Sequence, residues 1–115
     1  MRLEVTKHLE DARRAAALVQ EFVHGCDFEP YAADGMRRSA VEPQFEIIGE
    51  ALNRLAAMAP HVAQGISNYQ RIISFRNTPI HGYDAVDDAI VWDIIREYLP
   101  ALQQQVADLL TASTG

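Results

Sequence analysis

Residues 35–59 read GMRRSAVEPQFEIIGEALNRLAAMA, and this stretch decides the fold. Val41, Phe45, Ile48, Leu52, Leu55 and Ala59 recur at alternating steps of four and three. That is the period of an α-helix with one apolar face. Asp34 stands where a helix wants a side-chain acceptor for its first free N–H groups, and Pro60 ends the run. Gly49 permits close contact with a neighbouring helix. Pro43 lies inside the pattern and removes one backbone donor, so a bend or local break is expected there.

The same period continues on both sides. Upstream, residues Leu3 to His24 carry Val5, Leu9, Ala12, Ala16, Val19 and Val23 on one face, with Gly25 placed to stop the helix. The segment from Cys26 to Ala33 contains Pro30, Phe28 and Tyr31 and reads as a connector that tucks its rings against the bundle. Downstream, Ser67 is a candidate cap for a short helix from Asn68 to Phe75, with Ile72 and Ile73 inward. Asn77, Pro79 and Gly82 then mark a turn from Arg76 to Asp84. A last helix is expected from Asp87 or Asp88 to Leu110, with Ile90, Ile94, Leu102, Val106 and Leu109 inward and a kink at Pro100. No strand pattern, repeat or low-complexity segment interrupts this. Four amphipathic helices joined by short links predict an all-α, antiparallel four-helix up-and-down bundle, with room for an extra short helix. At 115 residues it forms a single domain, 1–115.

Composition narrows the function. Apolar residues make up 49% of the chain, enough for one core and too many for a disordered tail. No apolar run approaches the length of a membrane span, and Met1 to Glu10 lacks the apolar stretch of a signal peptide. Cys26 is the sole cysteine, so no internal disulfide can form; it reads as a small buried filler in a cytoplasmic protein. Ten Lys and Arg against sixteen Asp and Glu give a net charge of -6. That opposes general nucleic-acid binding, so any work on RNA must come from a local basic cluster, while the acidic surface suits a basic partner.

The one dense polar constellation is Arg76-Asn77-Thr78-Pro79-Ile80-His81-Gly82-Tyr83. Arginine can grip a phosphate with two parallel hydrogen bonds, and histidine exchanges a proton near neutral pH. Together they suit attack of a ribose 2'-hydroxyl on its own phosphate, which needs no metal when base, acid and cation are all supplied. By spacing alone, a helix-end cap and a surface pair is the commoner fate of an Arg and a His five apart. Pro79 bars a regular helix through the segment; it either presets the turn that presents His81 or marks a drifted site. Glu50 is read two ways, as a brace for Arg76 or a backbone donor and as a partly exposed carboxylate. Arg37 and Arg38 read as a solvated helix start rather than part of a basic cleft. Trp92 reads as core or interface. His8, His24 and His61 lack partners at ligand spacing, so neither a metal nor another cofactor is expected.

Arg76, four residues, His81, one residue and Tyr83 resemble the R-x4-H-x-Y signature of the HepT family, a branch of the HEPN superfamily. Other elements match in order. Tyr31-x-x-Asp34 resembles the aromatic-x-x-Asp that opens the family's second helix. Ala40-Val41 and Ile48-Gly49-Glu50-Ala51 resemble its Ala-Val and Ile-Gly-Glu-Ala elements. Tyr69 stands where the family often has Trp, and Val91-Trp92 and Leu99-Pro100-Ala101-Leu102 resemble its last-helix pattern. The resemblance covers about residues 3 to 110 and implies a HEPN-like bundle. It further implies a metal-independent endoribonuclease toxin, whose homodimer brings both motifs to one cleft. Arg76 and His81 would be catalytic and Asn77 supporting. Tyr83 would receive AMP from a minimal nucleotidyltransferase (MNT) antitoxin. The alternative it implies is a non-catalytic module that binds a nucleotidyltransferase, a nucleotide or both.

Overall fold

The structure, a computed structural model, describes residues 2–77 and 88–114, and of residues 75–77, 113 and 114 the main chain alone. Among the described residues helix is the only regular secondary structure: α1 (Leu3–Phe22), α2 (Phe28–Ala33), α3 (Gly35–Met58), α4 (Pro60–Ala63), α5 (Tyr69–Asn77), α6 (Asp88–Glu97) and α7 (Leu99–Thr114). The expected all-α bundle is present, with α2 and α4 as short additions and the last helix in two pieces.

The two long stripes are buried as read. Val5, Leu9, Ala12, Ala16, Val19 and Val23 of the first stretch face the core, as do Val41, Phe45, Ile48, Leu52, Leu55 and Ala59 of the second. The helices that carry them pack against each other, and α7 also packs against α1. Arg2, just before α1, donates to the Met58 carbonyl at the end of α3 at 2.9 Å, so the two run antiparallel. Gly25 closes α1 with φ +72, a left-handed value that a side chain disfavours. Asp34 caps α3 as expected, its Oδ1 accepting from the Arg37 N–H at 3.0 Å. Pro43 does not break α3, which runs continuously past it.

Other expectations are corrected. Residues 28–33 are a helix, not a connector, although Tyr31 is fully buried as that reading required. Ser67 does not cap the short helix that follows it. Its hydroxyl accepts from Gln105 of α7 and its N–H donates to the same side chain, both at 2.8 Å, while Asn68 takes φ 63 and supplies the first helical acceptor. The following helix extends to Asn77, so Arg76 and Asn77 belong to its last turn rather than to a turn. Pro100 separates two helices where a kink was expected: without an N–H it cannot continue the ladder, and the chain passes over through Tyr98. The buried stripe starts one position later than expected. Val91, Ile94, Ile95, Leu99, Leu102 and Val106 are buried, whereas Ile90 is 47% exposed.

These burial differences set a stability test. Leu52→Ala should cost about 2–5 kcal/mol, the range for truncating a fully buried leucine. Ile90→Ala should change stability by roughly 0.5 kcal/mol or less. Urea unfolding of the three proteins checks both; equal losses would mean that the phase of α6 is wrong.

Candidate functional site

The main chain places Arg76 and Asn77 in the last turn of α5. His81 and Tyr83 lie outside the described residues, as do Thr78, Pro79 and Gly82, so the geometry of the motif rests on the helices that flank it.

The first flank is α5. Its start is fixed twice: by Ser67 on Gln105, and by the Arg71 guanidinium over the Tyr98 ring, 6.0 Å from the centroid. Ile72, fully buried, seats it in the core beside α3. Gly49 is buried in α3. Glu50 is half-buried and accepts from Arg54 at 2.7 Å, one turn along the helix.

The second flank is the start of α6. Asp88, its first residue, accepts from Arg38 at 3.2 Å. The same guanidinium nitrogen donates to the Ala32 carbonyl in the last turn of α2. Arg38 therefore ties three helices, and the reading of Arg37 and Arg38 as a solvated helix start is overturned. Arg37 also turns inward, with Nη1 2.9 Å from Cys26 Sγ. Cys26 is buried, as expected of a filler.

Glu42 stands one turn beyond Arg38 on α3. Burial raises its carboxyl pKa, Asp88 raises it further, and Arg38 opposes both. The Tyr31 phenol is pushed up to about 12, by burial first and then by the charges of Asp88 and Glu42, with Arg38 again opposing. Its hydroxyl is buried without a hydrogen-bond partner. The Tyr31 ring leans on Trp92 at 5.2 Å between centroids, Phe28 flanks the indole at 6.3 Å, and Arg96 lies over it at 5.7 Å. Trp92 is thus half-buried in an aromatic layer between α2 and α6. Sequence reading missed this cluster. The four-residue spacing of Arg38 and Glu42 was visible, but nothing in the sequence tied either to Asp88. Among the described residues no group of three or more His, Cys, Asp or Glu is placed to hold a metal. None of the described helices is long and apolar enough to cross a membrane.

Comparison with known proteins gives a consistent result. Residues 12–109 match the family described as Ribonuclease HepT-like. A relative from Thermococcus cleftensis is 30% identical over 96 residues, 84% of this chain and 86% of its own. One from Methanocaldococcus jannaschii is 30% identical over 107 residues, covering 90% and 94%. One from Caldanaerobacter subterraneus is 29% identical over 103 residues, covering 90% and 91%. Their names are provisional: a ribonuclease HepT for the first and an RNase for the other two. No solved structure gives a significant match.

The Glu42 environment fixes a sign. Its folded pKa lies above the unfolded value, so ionised Glu42 destabilises the fold at neutral pH, and the penalty disappears once pH falls below the unfolded carboxylate value, about 4.3. Glu42→Gln should therefore raise the thermal midpoint at pH 7, with the gain shrinking toward pH 4. Thermal melts across that range check it; a loss at pH 7 would reverse the assigned sign.

Proposed function

This chain belongs to the ribonuclease HepT-like family, and on that premise we propose that it is a metal-independent endoribonuclease acting through Arg76 and His81. The observation that carries the proposal is the Arg76-x4-His81-x-Tyr83 sequence leaving the last turn of α5 in a chain with relatives named as RNases. Arg76 binds the scissile phosphate and offsets the charge that grows on its oxygens. His81 takes the proton from the ribose 2'-hydroxyl as that oxygen forms its bond to phosphorus. The bond from phosphorus to the 5'-oxygen breaks, and that oxygen receives a proton from a second acid. One chain offers a single motif histidine, so the second acid is His81 of another protomer, and the working unit is a two-fold homodimer with both motifs on one cleft. Asn77 orients the phosphate or an imidazole. The products are a 2',3'-cyclic phosphate and a free 5'-hydroxyl.

The same reading places the chain in a cytoplasmic toxin–antitoxin pair. Its partner is a minimal nucleotidyltransferase that transfers AMP to the Tyr83 hydroxyl. A bulky anion there competes with the RNA phosphate for Arg76.

Purified protein should cut single-stranded RNA in EDTA, leave the DNA counterpart intact and yield cyclic phosphate ends. Arg76→Ala and His81→Ala should each lose about a hundredfold or more while still folding. A requirement for Mg²⁺, or full activity in His81→Ala, would overturn the mechanism; no cleavage of varied RNAs by the wild type would favour the binding-module alternative. Co-expression with the cognate nucleotidyltransferase should add the mass of AMP to Tyr83, located by peptide mass spectrometry. Label on another residue, or none beside an active enzyme, would remove the regulatory part.

A further inference from the structure

Helices α1 and α3 share one outward face. On α1, Glu4, Lys7, Asp11 and Arg14 recur at steps of three, four and three, so they lie along one side of the helix. Their charges alternate: negative, positive, negative, positive. On α3, Ile47, Glu50 and Arg54 form a second line at the same kind of spacing. Lys7, Asp11, Ile47, Glu50 and Arg54 border a single groove between the two helices. Each helix closes its own ion pair, Lys7–Asp11 at 3.1 Å and Arg54–Glu50 at 2.7 Å, and both cations keep more than half of their side-chain exposure. Ile47 stands beside these charges, 44% exposed.

The antiparallel register sets the levels on this face. Counted from the Arg2–Met58 contact, Lys7 lies five residues along α1 and Arg54 four residues back along α3. At about 1.5 Å per residue the two stand within about 2 Å of one level, and so do Asp11 and Glu50. The face therefore carries a band of two cations and, one turn further, a band of two anions. A partner of uniform charge is repelled by one band or the other. A second copy related by an axis parallel to the helices sets α1 on α3 and puts cation on cation. Turned about a two-fold axis perpendicular to both helices and passing between the bands, it lays each cation band on an anion band, twice over. The same axis sets Glu4 against Arg14 of the other copy, and Ile47 against the exposed Ala57 of the other copy. We propose that this face of α1 and α3 is a self-association surface, on which two copies of the chain meet with α1 against α1 and α3 against α3, each pair antiparallel. The contact concerns these two helices alone and does not rest on the ribonuclease reading. Exposed ion pairs are weak one by one and are screened by salt, so the association is reversible and salt-dependent, with Ile47 adding an apolar contact.

Analytical ultracentrifugation of the full chain tests this. The wild type should dimerise, and raising NaCl from about 50 to about 500 mM should raise Kd about tenfold or more. Lys7→Glu with Arg54→Glu makes both bands negative, and Asp11→Lys with Glu50→Lys makes both positive. Each double variant should be monomeric at concentrations where the wild type is dimeric, with circular dichroism showing that it folds. An equimolar mixture of the two should dimerise, because opposite charges meet again at every level; a lost fold cannot give that rescue. Should either variant fail to fold, Lys7→Asp alone and Lys7→Asp with Asp11→Lys take their place. The first should weaken the dimer about tenfold and the second should recover it; no recovery would overturn the proposal. A wild type that stays monomeric throughout the concentration series, dimers that persist in both charge variants, or a mixture that stays monomeric would overturn it as well. No RNA is present, so cleavage is judged separately.

Discussion

Alanine at positions 12, 15 and 16, each buried, leaves α1 without bulky side chains on part of its inward face. A helix with small residues at the contact can approach its neighbour closely, and α1 and α3 run antiparallel in direct packing. Other elements are placed relative to that pair. Helix α7 lies along α1, α2 packs near the beginning of α3, and α4 and α5 pack against α3 as well. Among the described residues, no disulfide and no buried ion pair helps hold the core together; burial of apolar surface does the work. The long helix α3 therefore acts as a ruler: Arg38 and Glu42 stand near one end, while Gly49 and Glu50 lie about two to three turns farther along.

The fold was legible wherever a single helix buries a regular stripe. The positions 5, 9, 12, 16, 19 and 23 and the positions 41, 45, 48, 52, 55 and 59 are buried without exception. Legibility failed where tertiary contacts override local signals. Ser67 looks like a cap, but Gln105 claims both its hydroxyl and its N–H. Ile90 looks like part of the last stripe, but the neighbouring Val91 takes the inward position with Ile94 and Ile95 and leaves Ile90 exposed. Pro30 argues for a connector, yet it falls in the first turn of α2, where the missing N–H would have no intrahelical partner anyway.

The candidate site was legible as residue types and not as an arrangement. Arg76, Asn77, His81 and Tyr83 stand out in the sequence because the proposed chemistry needs a fixed cation, an imidazole and polar neighbours close together. Their surroundings do not, because Arg38 and Asp88 are fifty positions apart and neither residue alone differs from an ordinary surface charge. The same is true of Tyr31. An aromatic residue three positions before a capping aspartate suggests a buried ring; it does not reveal that the hydroxyl would be buried without a partner while two carboxylates raise its pKa.

The charge of the chain, -6, bears on how such a site could meet RNA. Nine of the ten basic side chains are described, and each is already engaged within the fold. Lys7, Arg13, Arg14, Arg37, Arg38 and Arg54 pair with carboxylates; Arg71 and Arg96 lie over aromatic rings; Arg2 donates to the Met58 carbonyl. Surface pairs of this kind are weak, about 0–1 kcal/mol, yet they pair each positive charge with a nearby negative one or a local π-face, so these cations do not add up to a basic face. At physiological salt the field of any one charge fades over about 8 Å. A polyanion approaching this chain therefore meets little long-range attraction from those nine, and on the proposed reading discrimination in favour of RNA falls to short-range contacts at the motif. The tenth basic residue is Arg76. On the proposed reading, a cation that other proteins would supply as one of many on a basic surface is here the one that meets the phosphate that reacts, while the net negative charge of the chain disfavours binding anywhere else on the molecule.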